Sequence, residues 1–254
     1  MKLELCMATM TTEAPIGYLD SLTNTASDPN LAVRLCFNSP EKNLGVVGSY
    51  NHMFEDSDAD VLCYFHDDVE CREEGWDKRV EAEFEDPTVG VVGFGGAIAH
   101  GDPDLYKKPY ELTQLARSGY LSNVDDAEFH GTRFTGATDV AVLDGFSLCI
   151  RRSLLEAAGG WHPELWPPHH IYDYAICAMA HRLGYRVRCL GIRCHHHGGR
   201  TVTTQPYLDW TATTEWGSDA AMHKEGHWLF YSRFRDVMPW VCDPPAELKE
   251  VEVV

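Results

Sequence analysis

No stretch of the 254-residue chain approaches the roughly 20 apolar residues that a membrane-spanning helix needs. The opening MKLELC carries Glu4 where the apolar centre of a secretion signal would lie. The nine cysteines include no CxxC pair, which argues against zinc-ribbon and thioredoxin-like chemistry. Positive charge is scarce: 21 Lys and Arg face 39 Asp and Glu, and a formal net charge of -18 disfavours broad contact with nucleic acid or an anionic membrane. A glycine-rich phosphate loop with its lysine is missing, which disfavours a nucleotidyltransferase. Internal repeats and low-complexity tracts are missing too. These absences lead us to expect a soluble protein of the reducing cytoplasm that makes no membrane contact.

What is present is the balance of a globular protein, with 44% hydrophobic and 24% charged residues. Short runs rich in β-branched and aromatic residues at Leu3–Ala8, Leu31–Phe37, Val61–Phe65, Val89–Phe94, Val140–Ile150 and Tyr185–Ile192 read as strands. Cys36, Cys63, Cys149 and Cys189 sit inside such runs and read as buried thiols. Helical spacing occupies Ile16–Ala26, Val46–Phe54, Trp76–Phe84, Ser153–Ala158 and Ile171–Leu183. This alternation predicts an α/β fold: a mainly parallel sheet with helices on both faces and a ligand site at the carboxyl ends of the strands. Residues 98–138, broken by glycines and prolines, read as an irregular insertion on the acceptor side of that site. Residues 1–199 form the expected domain, and 200–254 a tail folded back on it, with an amphipathic helix in HWLFYSRFRDVMPW ended by Pro239.

Four constellations could carry chemistry. VLCYFHDDVE delivers His66, Asp67 and Asp68 from an apolar strand, where carboxylates can hold a hard divalent cation; an exposed turn or helix cap explains Asp–Asp as well. In RCHHHGG, alternation sends His195 and His197 to one side and His196 to the other, and imidazoles at that spacing could complete a metal site, manganese accepting nitrogen as well as oxygen. Asp144 beside Gly145 lies in a strand, and Asp173 stands at the first turn of a helix, as a base or as a capping charge. Asn43, Gly45 and Asn51 lead into a helix, where glycine lets backbone approach a ligand and asparagine offers both donor and acceptor. Arg182, Arg186, Arg188, Arg193 and Arg200 crowd one stretch and could neutralise a phosphorylated ligand, or be scattered solvated charges. Trp210, Trp216, Trp228 and Trp240 could stack on a sugar or base, or fill core.

In order and spacing, these pieces resemble family 2 glycosyltransferases of the GT-A fold, from about Leu3 to Gly199. LCMAT matches the family's first strand and would set Thr9 beside the nucleotide base, while Asn43, Gly45 and Asn51 would line the donor pocket. His66–Asp67–Asp68 matches the DxD motif with Asp68 as metal ligand, His66 replacing the first acid as in a subgroup with a His-x-Asp-Val variant. Gly145 through Arg152, then Gly159, Gly160 and Trp161, match the most specific stretch. Tyr172–Asp173, eleven residues before Gly184 at the aspartate, match the family's Glu-Asp pair, with Tyr172 in place of glutamate. His195 to His197 match the histidine that closes the metal site, with His195 and His197 the expected ligands.

The resemblance implies a metal-dependent, inverting transferase using Mn2+ or Mg2+ and a nucleotide-sugar donor, a UDP-sugar first among them. The cation would neutralise the diphosphate while Asp173 accepts the proton of the acceptor hydroxyl. Glycans, small molecules and hydroxylated DNA bases, as in some viral enzymes, are the acceptor classes, DNA being disfavoured by the acidic balance. The alternative is a catalytically inactive nucleotide- or metal-binding module, since the missing first acid and Tyr172 could mark a decayed site.

Overall fold

The structure is a computed structural model and describes residues 1–10, 13–39, 41–101, 119–125, 131–198, 201–238 and 240–243. Its centre is a seven-stranded sheet: β1 (Leu3–Thr9), β2 (Ala32–Phe37), β3 (Val61–Phe65), β5 (Val89–Gly93), β12 (Ser147–Arg151) and β13 (Arg186–Leu190) fall on runs that the sequence marks as strands, and β10 (Ala137–Asp139) does not. Their order is β10-β13-β5-β12-β3-β1-β2. β1 pairs in parallel with β2 and β3, and β13 with β5, whereas β12 runs antiparallel to both β3 and β5, and β10 antiparallel to β13. Five of the seven strands therefore run one way, and β12 is a reversed strand set in their midst.

Alternation along these strands feeds two cores, as expected when each face of a sheet is covered. Cys6, Leu62, Tyr64, Leu148 and Ile150 enter one, against α2 (Gly45–Asp56), α4 (Arg152–Ala158), α5 (Tyr172–Arg182) and α7 (Asp219–Phe234). Leu5, Met7, Cys63, Phe65 and Cys149 enter the other, against α1 (Ile16–Thr25) and α3 (Trp76–Phe84). In that second core Trp76 is fully buried and donates its indole N–H to the Leu22 carbonyl at 2.9 Å, tying α3 to α1. Truncating such a ring costs about 3–5 kcal/mol. The four cysteines expected to be buried are so.

The span 98–138 departs from the expectation. Its described part is largely strand: β7 (Ala99–His100), β8 (Tyr120–Asp125), β9 (Thr132–Arg133) and β10, while residues 102–118 and 126–130 lie outside the described residues. Together with β4 (Val69–Cys71), β6 (Gly95–Ala97), β11 (Val142–Leu143) and β14 (Arg193–His196), β8 and β9 build a second sheet of order β11-β6-β8-β14-β4, with β9 on β8. Strands of two or three residues are too short for a period-two pattern to register, and Gly95 and Gly96 further disguise them. This sheet places β14 beside β4, directly after the β3 carboxyl end.

After residue 200, α6 (Gln205–Thr213) and α7 follow, and Phe230, Tyr231 and Phe234 of α7 insert into the first core. Pro239, the expected helix stop, lies outside the described residues; α7 passes at Phe234 into a 3-10 turn, Arg235–Val237. Among the described residues no helix is long and apolar enough to cross a membrane.

Candidate active site

Fully buried β3 ends at Phe65, and the turn His66–Asp67–Asp68 carries the chain into β4. On the neighbouring strand, β14 pairs antiparallel with β4 so that His196 lies opposite Val69, and the His197 N–H bonds the Asp68 carbonyl at 3.1 Å. The result is a cluster of His66, Asp68 and His196 whose ligand atoms all lie within 4.8 Å of one another. His196 Nε2 stands 3.4 Å from Asp68 Oδ1, an oxygen that is buried and makes no hydrogen bond.

A buried acceptor that makes no hydrogen bond is costly unless a ligand meets it. One carboxylate and two imidazoles form a donor set suited to a divalent cation that accepts both nitrogen and oxygen. The residues therefore fit a metal. Burial pushes the Asp68 carboxyl up, but the imidazoles of His196, His66 and His197 outweigh it and the net direction is down, keeping it ionised. Burial, helped by His196, lowers His66 to about 4, so its ring is neutral at neutral pH, as a ligand must be.

This cluster lies on the wall of a cleft of about 210 Å³. Thr9, Met10, Asn38, Asn43 and Gly45 line it, together with His169, Thr201, Val202, Tyr207 and Trp210. Asn43 Oδ1 accepts the Gly45 N–H at 2.8 Å, which shapes the start of α2. Thr9 bonds Asp67, whose carboxyl is raised chiefly by burial. Gly45 has φ +67, and a Cβ there would strike the Pro168 carbonyl oxygen at 2.4 Å, so the close approach of the 167–171 segment to α2 requires glycine.

Asp173 opens α5. Its Oδ2 accepts the Gly145 N–H at 3.1 Å and its Oδ1 the Tyr174 N–H at 2.9 Å. Burial, then the neighbouring Asp144 charge, raise its carboxyl to about 7, poised to take up a proton near neutrality. The preceding residue, Tyr172, meets His66: hydroxyl and Nε2 are 2.6 Å apart. Asp173 is thus one residue from a direct contact with the metal-ligand cluster.

Several expected site residues stand elsewhere. His195 lies opposite Glu70 and beside Asp125 in the strand register, and His197 packs on Tyr18 with its Nε2 3.9 Å from Glu70, so His196 and not these two faces Asp68. The signal was Cys194: it enters the buried core, and a residue two positions on shares its side. Asn51 does not line the cleft; its Oδ1 accepts the Trp161 N–H at 3.0 Å and supports the Gly159–Gly160 turn. Gly145 serves Tyr172 and Asp173 rather than the cleft wall, since a Cβ there would lie 2.4 Å from the Tyr172 hydroxyl. Arg151 and Arg152, the most motif-like pair, bind backbone carbonyls of Phe84, Asp86 and Val89 and of Ser57 and Ala59, fastening loops.

The arginine group is likewise engaged. Arg182 pairs with Asp236, Arg186 with Asp86 and Asp139, and Arg188 with Glu83, while Arg193 binds the Arg72 carbonyl and Arg200 lies outside the described residues. Of the four tail tryptophans only Trp210 lines the cleft; Trp216 packs on the Tyr207 cluster, Trp240 stacks on His181, and Trp228 is largely on the surface. Asn38, His169, Thr201, Val202 and Tyr207 were not anticipated as cleft residues. Buried Asn38, bonded to Ser49 and the Leu44 N–H, was discernible only as an asparagine just beyond a strand.

A mainly one-way sheet between two helical layers, with a carboxylate–imidazole cluster at its strand ends beside a cleft, is the architecture of a GT-A glycosyltransferase. The chain belongs to the glycosyltransferase-like family, whose profile matches residues 41–213. Solved structures share the fold. A mannosyltransferase from Pyrobaculum calidifontis, in complex with GDP-Man and Mn2+, is 16% identical over 98% of this chain and 67% of its own, with a TM-score of 0.54. GalNAc-T7, with UDP, GalNAc and Mn2+, is 11% identical over 98% of this chain and 57% of its own, at 0.53. S. aureus TarS with UDP is 11% identical over 87% and 68%, at 0.51. The chain thus spans about two thirds or less of the first two proteins' lengths. No curated protein matches it.

Proposed function

We propose that this glycosyltransferase moves a sugar from a nucleotide-sugar donor to an acceptor hydroxyl with the help of a divalent cation and with inversion at the anomeric carbon. The observation that carries the reading is the His66, Asp68, His196 cluster with its buried, unbonded Asp68 oxygen at the cleft. Asp68, His66 and His196 are the residues that would hold Mn2+ or Mg2+, and the chemistry a cation supplies in such a site is neutralisation of the diphosphate leaving group. Thr9, Asn43 and Asp67 line the side where the nucleoside of a UDP-sugar or GDP-sugar would lie. Asp173, raised toward neutrality, takes the proton of the acceptor hydroxyl as it attacks, and a single displacement inverts the centre. UDP and GDP-mannose in structures of the same fold support the donor class. Nine unpaired thiols, eight of them buried, support a reducing compartment.

A thermal-shift screen of UDP- and GDP-sugars with and without Mn2+ tests the reading. A donor at a hundred times its Kd stabilises the folded state by about 2.7 kcal/mol. We expect a rise in Tm that needs both metal and donor and is absent in Asp68→Ala. A protein whose Tm responds to no nucleotide sugar would overturn the proposal.

A further inference from the structure

The two positions at which the chain departs from the resembling family's acids, His66 and Tyr172, lie 106 residues apart in sequence and touch in space, Nε2 to hydroxyl at 2.6 Å. Tyr172 is built in rather than draped over the site. It is 5% exposed, its ring packs edge-on against Tyr50 at 5.7 Å and against Trp161 at 6.2 Å, and Gly145 leaves the space its hydroxyl occupies. Its hydroxyl is fixed before any ligand arrives.

An imidazole offers a lone pair from one nitrogen only when its proton sits on the other. In metal sites the hydrogen bond at the far nitrogen fixes that choice and the ring's aim. The His66 ring faces His196 at 5.6 Å between centroids, and its Nε2 is taken up by the phenol, so Nδ1 is the nitrogen left for a ligand. We propose that Tyr172 is a positioning residue of the metal centre: its hydroxyl accepts the Nε2 proton of His66 and so holds the imidazole in the tautomer that presents a bare Nδ1 beside Asp68 and His196. This rests on the metal reading above and adds to it a residue that touches neither metal nor donor. It also makes the His66 and Tyr172 exchanges one coupled change, which turns the centre into one carboxylate with two imidazoles, a set that favours manganese over magnesium.

Tyr172→Phe removes only the hydroxyl. Manganese binding to the purified protein, followed by the loss of the free-ion EPR signal, is expected to weaken by about 10- to 100-fold in the variant, with Tm little changed. Nitrogen-15 NMR of histidine-labelled, metal-free wild type should show His66 protonated at Nε2, and Tyr172→Phe should lose that fixed tautomer. Wild-type binding with an unaltered variant overturns this inference and leaves the metal reading standing. A wild type that binds no manganese overturns both. Should the variant fail to fold, the metal-free wild type still decides, because a proton at Nδ1 of His66 refutes the arrangement.

Discussion

The two halves of the cleft are held by different means. His66, Asp68 and His196 stand at strand ends, where ladder hydrogen bonds and the fully buried β3 set each position. The other part of the lining, His169, Tyr207 and Trp210, comes from a loop and a helix. The loop passes through His170 and Ile171 at φ 70 and 64, a left-handed conformation that costs a β-branched residue about 1–3 kcal/mol. The same loop delivers Tyr172 and Asp173. A single oxygen, Asp219 Oδ1, accepts from both the Tyr207 hydroxyl and His170 Nε2 at 2.5 and 2.6 Å, joining α6, the strained loop and the first turn of α7. Strand register fixes the His66, Asp68 and His196 cluster, whereas the loop-and-helix wall is held by side-chain bonds to Asp219 and by the Val46 and Val47 N–H groups on the Pro168 carbonyl.

The largest effect should come from Asp173, the proposed base, at the end of the strained loop. Asp173→Asn is expected to lower kcat by about 10²–10⁴-fold while donor affinity, read by calorimetry, stays within about twofold. Because a carboxyl raised to about 7 is protonated below that pH and ionised above it, wild-type kcat/KM should climb as pH rises through about 7 and then level off. The variant's residual activity should lose that limb. Asp219→Asn probes the wall alone. Weakening its charge-assisted bonds by about 1 kcal/mol should raise the donor Kd about fivefold and leave Mn2+ affinity unchanged. An equal loss of metal binding would show that the two halves are not independent. The smallest effect belongs to His195→Ala, which should alter Mn2+ affinity by less than about twofold, since that ring lies on the Glu70 side of β14. A tenfold loss there would reverse the assignment of His196.

Most of the larger elements were legible because their signals are local. The runs 61–65 and 76–84 agree with β3 and α3 residue for residue. Val140–Ile150, read as one strand, is two strands parted by a turn at Asp144–Gly145–Phe146, a bend that the Asp-Gly pair itself signals. The second sheet was illegible because β4, β6, β9 and β11 have only two or three residues, too few to display a period, and the six-residue β8 lies within a span broken by glycines and prolines. For the site, the ordered motif singles out Asp68, which stands in the His66–Asp68–His196 cluster, and Asp173, which opens α5; the side of β14 that faces Asp68 depends on a core that sequence shows only through Cys194. Tyr172 read as a lost acid because its partner is 106 residues away, and nothing in either motif announces the other.

The reversed strand β12 has a consequence for how the cleft is assembled. Its neighbours β3 and β5 run out toward the mouth, while β12 begins there, so the residues leading into it share the rim with those that leave β3: the Phe146 carbonyl takes the His66 N–H at 3.0 Å, and Gly145 donates to Asp173. An inward-going segment is thereby stitched to an outward-going one at the edge of the cleft, and a shift of either by one residue would carry His66 and Asp173 out of alignment together.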